Sequence, residues 1–168
     1  SSHLGSIDFG CSSFGSRVLV VQGGQDRGRL RGQLQAAQAP PMLVFVGSAG
    51  AGTHYLKDPA KGHGTVSCHL LGEDGSLRPG AGPHAIGASP TAMVPNGEGT
   101  GLFITSEVRG TENSTVWSAA IEDAATGRLR ALGSADARGR ACCHLALHPD
   151  GRHLALSNYL GPAQPEGQ

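Results

Sequence analysis

Charged and aromatic residues are scarce in this sequence, at 15% and 4% of the chain, and the formal net charge is zero. Without a basic excess there is no field to steer nucleic acid or an anionic membrane surface, so neither is expected as a partner. Long apolar runs are also missing. The longest, Val18 to Val21 and Met42 to Val46, fall far short of the roughly 20 residues that cross a bilayer as a helix. Cysteines number four, and Cys11, Cys68, Cys142 and Cys143 show neither a C-x-x-C pair nor zinc-ligand spacing. That pattern reads as reduced thiols in a cytoplasmic protein, with no metal and no cofactor implied. No segment holds an apolar stripe of helical period and length, which disfavours helical solenoids.

Glycine and proline are plentiful, at 27 and 10 of 168 residues. Such a composition favours many turns and short strands. The stretch from Ala141 to Tyr159 shows the pattern best. Leu145 to Leu147 and Leu154 to Leu156 flank Pro149-Asp150-Gly151. Proline presets φ, aspartate bonds its own backbone, and glycine accepts positive φ, so two apolar runs around this turn read as a β-hairpin.

Residues 1–41 differ from the rest and read as a loose N-terminal extension. Ser-rich residues 1–17 with Arg17 are a weak transit-peptide signature, opposed by Asp8 and by the missing amphipathic face. Organelle targeting is thus the weaker alternative to a cytoplasmic location. Gly23, Gly24 and Gly28 follow the strand-like Val18 to Val21, but neither phosphate-loop nor dinucleotide spacing is present. Arg29 to Ala37 predicts a short helix interrupted by Gly32, and Pro40-Pro41 closes the segment.

From Met42 onward strands alternate with turns. Met42 to Val46 is a continuous apolar strand, Thr53 to Gly64 is a polar loop, and Thr65 to Leu71 alternates as a half-buried strand does. Further strands are expected at Ser89 to Val94, Leu102 to Thr105, Ser114 to Ile121 and Arg128 to Leu132. A repeat runs through them. Val66 and Val116 are 50 apart, Leu77 and Leu129 52, Pro95 and Pro149 54, and Leu102 and Leu154 52. Four strands at a period of about 50 residues is the signature of a β-propeller blade. The fold class expected is therefore all-β, a partial propeller of about two and a half four-stranded antiparallel blades over residues 42–168 behind the N-terminal extension.

The residues that fill this period resemble a known family. The run Thr115 to Ile121, then Asp123-Ala124-Ala125-Thr126-Gly127-Arg128-Leu129, then Cys143 to Arg152, then Ser157-Asn158-Tyr159-Leu160-Gly161 is similar to the seven-bladed propeller lactonases. This is the 6-phosphogluconolactonase type, which also includes a muconate lactonising enzyme. Ser89-Pro90-Thr91, Ser106-Glu107 and Met42 to Gly50 resemble further elements of the same pattern. The resemblance covers about residues 42–161. It departs from the family in length, because a ring needs roughly four to eight blades. The expectation is an N-terminal portion of a longer propeller or a truncated product, prone to self-association through exposed blade edges.

The resemblance implies hydrolysis of a small-molecule sugar lactone. A lactone is an ester, so its hydrolysis needs an activated water and a donor for the developing oxyanion. His144 enters the innermost strand of its blade near the channel mouth and is the candidate catalytic residue, as base or oxyanion donor. Glu107 and Arg109, Arg138 and Arg140, and Asn158 and Tyr159 are candidates for substrate binding at the same mouth, the arginines for a phosphate. His148 and His153 flank the turn at the opposite end and read as solvated surface residues. Trp117 reads as packing between blades. The alternatives are a muconate-type cycloisomerase and a non-catalytic propeller that binds a partner.

Overall fold

Alternating apolar and polar side chains, cut every few residues by glycine, proline or aspartate, give this chain strands and turns. The computed structural model describes residues 17–21 (backbone only), 41–49, 64–109 and 112–163, and all of the following concerns those residues. No helix occurs among them, so none is long and apolar enough to cross a membrane. The expected helix at 29–37 and nearly all of the loop at 53–64 lie outside the described residues.

The first sheet contains β1 (Arg17–Val21), β2 (Met42–Ser48), β3 (Thr65–Leu71) and β4 (Leu77–Pro79) in that order. A two-residue strand β5 (His84–Ala85) pairs with the start of β3. The second sheet runs β6 (Pro90–Pro95), β7 (Gly101–Ser106), β8 (Thr115–Asp123), β9 (Arg128–Asp136). The third holds β10 (Arg140–Leu147) and β11 (Leu154–Leu160). All pairings are antiparallel. The edge strands β1 and β10 both lie against β6, as innermost strands of successive blades do. The fold is a partial β-propeller whose sheets do not close a ring.

The sequence repeat maps onto equivalent positions. Val66 and Val116 stand on the third strands, Leu77 and Leu129 on the fourth, and Leu102 and Leu154 on the second. One feature of the N-terminal reading changes. Arg17–Val21, inside the stretch read as a loose extension, pairs residue for residue with Leu43 to Gly47. Met42–Ser48 is consequently the second strand of its blade rather than an opening one.

Two apolar clusters hold the sheets together. The larger joins Leu43, Phe45, Val66 and Cys68 of the first sheet to Met93, Leu102, Ile104, Ala119 and Leu129 of the second, with Ile86 between them. Phe45, Val66 and Ile104 have no exposed surface, and each such side chain contributes about 1.5–3 kcal/mol relative to exposure. Trp117 packs against this cluster from its edge, and its indole N–H donates to the Thr115 hydroxyl at 3.0 Å. The smaller cluster packs Val116 and Ala137 against Cys142, with Leu154 alongside. It fixes β10 and β11 on the second sheet.

Close packing constrains the turns as well. Gly127 ends the β8–β9 turn at φ +72°, and a Cβ there would lie 2.1 Å from the Cys68 sulfur. Both the backbone conformation and the space favour glycine.

Candidate active site

The polar residues of interest gather at one end of the blades. At that end β6 begins opposite the finish of β7, through Pro90 and Ser106, and β10 begins opposite the finish of β11, through Arg140 and Leu160. The start of β8 and the finish of β9 lie there too, through Thr115 and Asp136. Three connections therefore meet: residues 107–109 and 112–114 between β7 and β8, 137–139 between β9 and β10, and 161–163 after β11.

Ser114 ties these loops together. It is fully buried. Its Oγ accepts from the Val108 N–H at 3.2 Å and the Cys142 N–H at 3.0 Å, and lies 3.3 Å from the Val108 carbonyl. Its backbone N–H donates to the Gly139 carbonyl at 2.7 Å, and its carbonyl accepts from Ala137 at 2.9 Å. The Ala141 N–H reaches the Val108 carbonyl at 2.7 Å. Sequence reading missed Ser114. A serine just before an alternating strand is a common turn residue, and only tertiary approach turns it into this junction.

The junction holds two side-chain-bearing residues in left-handed backbone, Arg138 at φ 56° and Ala141 at φ 53°. Such conformations cost of order 1–3 kcal/mol each and persist where the surroundings over-determine them. Here the N–H of Arg138 is held by the Asp136 carboxylate at 2.6 Å. That bond, with one from Asn113, keeps the Asp136 carboxyl below its ordinary value. The N–H of Ala141 is held by Val108, as described.

On this frame Glu107, Arg109 and Tyr159 converge. The Glu107 side chain is 8% exposed, and its Oε1 lies 3.8 Å from Nε of Arg109. The Arg109 guanidinium carbon stands 5.4 Å from the centroid of the Tyr159 ring, which is 70% exposed. A carboxylate, a planar cation and a phenol thus share one patch, built from the ends of two sheets. Asn158 sits beside it. Its amide donates to the Ala137 carbonyl at 2.8 Å, while its Oδ1 is buried with no partner among the described residues. Gly139 leaves room for it, since a Cβ there would fall 2.4 Å from the Asn158 amide nitrogen.

Beneath the patch is Cys142. Burial first, then Cys143 and the Glu107 carboxylate, push its thiol up to about 11. A thiol held neutral in this way is a packing residue and not a nucleophile.

The remaining candidates are more dispersed. Arg140 reaches the Gly161 carbonyl with Nε at 3.2 Å, and Arg138 is exposed on its turn. His144 lies farther along β10, past a bulge at Cys143, paired with Ser157 and exposed. Its partner Ser157 stands two residues before Tyr159 on β11. At the opposite end, a shallow recess bounded by Asn96, Phe103, Ser118 and Leu132 carries no titratable side chain.

Two comparisons with known proteins bear on this arrangement. No curated protein matches the sequence. Residues 45–163 match the family described as Lactonase, 7-bladed beta-propeller. That span takes in β2, from its apolar centre, through the whole of β11, with the loop that carries Glu107 and Arg109 and the strand that carries Tyr159. The chain belongs to the seven-bladed β-propeller lactonase family.

Proposed function

We propose that this chain acts in the hydrolysis of a sugar lactone of the 6-phosphogluconolactone class, the lactonase step of the pentose phosphate pathway. Family membership supports a lactonase-type function in general. The convergence of Glu107, Arg109 and Tyr159 at the entry end of the inner strands is the observation that carries the finer reading. In that reading a base removes a proton from water, and the hydroxide adds to the lactone carbonyl. The tetrahedral oxyanion collapses with cleavage of the ring C–O bond, and the ring oxygen takes up a proton.

The roles follow from chemical type. The Arg109 guanidinium is a planar donor suited to an oxyanion or a phosphate, and Arg138 and Arg140 add positive charge on the neighbouring loop. Glu107 is an acceptor for sugar hydroxyls, Asn158 holds the neighbouring loop through the Ala137 carbonyl, and Tyr159 offers a ring face and a phenol. His144 is the proposed base. A cytoplasmic setting suits the reduced thiols of Cys68 and Cys142. The reading extends to self-association. β11 has no strand on its outer side among the described residues, and Leu156 on it is 38% exposed.

The test is lactone hydrolysis by the purified protein, followed against the spontaneous rate, with Arg109→Ala and His144→Ala beside the native chain. Turnover lost in both variants supports the assignment. Turnover lost only with Arg109→Ala removes His144 from it. A rate no higher than the spontaneous one contradicts the lactonase reading, and turnover of a muconate-type substrate selects the cycloisomerase instead.

A further inference from the structure

The hairpin turn joining β10 to β11, at the end away from Glu107 and Arg109, brings together three groups that the lactonase reading leaves unused. His148, Asp150 and His153 each offer one donor atom, and these atoms all lie within 4.8 Å of one another. Nδ1 of His148 is 3.1 Å from one carboxylate oxygen of Asp150, and Nδ1 of His153 is 2.6 Å from the other. The backbone imposes this arrangement. The His148 N–H donates to the His153 carbonyl at 2.8 Å, and the Gly151 N–H to the His148 carbonyl at 2.9 Å. Gly151 turns the chain at φ +67°. The N–H of Arg152 holds the carboxylate at 2.8 Å, so Asp150 is presented between the two imidazoles. The Asp150 N–H lies 3.2 Å from Nδ1 of His148, a weak contact that a bound cation would replace.

We propose that His148, Asp150 and His153 form a binding site for a divalent transition-metal cation of the Zn²⁺ type. Zinc is held at about 2.0–2.2 Å by imidazole nitrogen and carboxylate oxygen, which sets tetrahedral ligand atoms roughly 3.4 Å apart. His148 Nδ1 stands 3.1 Å from one carboxylate oxygen and His153 Nδ1 2.6 Å from the other, and one donor atom from each residue lies within 4.8 Å of the other two. The His148 and His153 side chains are 64% and 78% exposed, so small χ rotations adjust the spacing without disturbing the core. The cation takes the place of the proton shared between imidazole and carboxylate. Three protein ligands leave a fourth position for water. Two nitrogen donors with one carboxylate discriminate against Mg²⁺ and Ca²⁺, which prefer oxygen alone. Because His148 follows β10 and His153 precedes β11, the bound ion staples the hairpin across its turn. It stabilises the folded chain in proportion to its occupancy.

The experiment is calorimetric titration of the full chain with Zn²⁺ and, separately, Mg²⁺, together with thermal unfolding in each. The variants are His148→Ala and His153→Ala, both at exposed turn positions. The expected result is about one equivalent of Zn²⁺ bound with a raised Tm, weakened more than about 10-fold in either variant, and no response to Mg²⁺. Imidazole NMR signals of His148 and His153 shift on Zn²⁺ addition if they are ligands, which covers the case of a variant that folds poorly. The chain has eight histidines, so Zn²⁺ affinity unchanged in both variants locates binding elsewhere and overturns the proposal. No Zn²⁺ binding by the native chain, or equal binding of Mg²⁺, overturns it as well.

Discussion

The guanidinium of Arg109 is stacked 5.4 Å from the Tyr159 ring centroid, while its Nε faces the buried Glu107 carboxylate at 3.8 Å. Arg109 follows the second strand of one blade, and Tyr159 lies near the end of the second strand of the next. The contact is therefore a bridge between blades as well as a patch of chemistry. Its contribution to stability is small, about 0.5–1 kcal/mol for an exposed cation–π pair. Its contribution to function is expected to be larger. Arg109→Ala is predicted to lower lactone hydrolysis roughly 100-fold, as loss of one oxyanion donor does, with thermal unfolding nearly unchanged. Tyr159→Leu is predicted to lower it less. Steady-state rates beside melting curves check both; equal activity in all three proteins removes the patch from the reaction.

Ser114 is the opposite case, a residue whose value lies in stability and loop placement. Ser114→Ala leaves the N–H groups of Val108 and Cys142 without their acceptor. A buried group so stranded costs about 1–3 kcal/mol. The expected loss is about 2 kcal/mol, read as a Tm lower by roughly 4–8 °C. Ser114→Thr keeps the hydroxyl and is expected to lose less. A Tm unmoved by the alanine change contradicts the junction described for this end of the blades.

The contrast between these residues shows what was legible in the sequence. Strand-turn punctuation placed Val66, Val116, Leu77, Leu129, Leu102 and Leu154 on equivalent strands, because apolar alternation and turn residues are local signals. Val18 to Val21 read as strand-like, but its place as the inner strand of the first blade was obscured, since a long polar stretch of sequence rather than a tight turn separates it from its partner β2. β9 runs on to Asp136, beyond the expected stop at Leu132, through residues that are exposed and so carry no apolar pattern. Glu107, Arg109, Asn158 and Tyr159 could be put forward as candidates from their positions near strand ends. That Arg109 touches Tyr159 depends on how blades pack. Ser114 gave no signal for the same reason.

Thiol chemistry tests the packing of the two clusters. Burial raises both Cys68 and Cys142 from 9.0 to about 11, so each keeps its proton in the folded chain when the unfolded chain would release it. The stability this contributes is fully present below about pH 9 and is lost as pH rises toward about 11. The urea midpoint should fall across that interval, and less steeply in Cys142→Ala. Cys143, only partly buried, should be alkylated before either in a Cys11→Ser background. Prompt modification of Cys142 at neutral pH contradicts the placement of β10.

Blade edges make a prediction about association. With β11 unpaired on its outer side among the described residues and Leu156 and Tyr159 exposed on it, the chain is expected to self-associate in a concentration-dependent way. A charge on the exposed face, Leu156→Lys, should shift the equilibrium toward monomer. Sedimentation that shows a monodisperse monomer at every concentration contradicts it.

The central claim is lactone hydrolysis, and the rate of 6-phosphogluconolactone opening by the native chain over the spontaneous rate tests it most directly. The account predicts an acceleration that falls sharply in Arg109→Ala. Hydrolysis indistinguishable from the spontaneous rate, by a chain whose melting curve shows it folded, would contradict it.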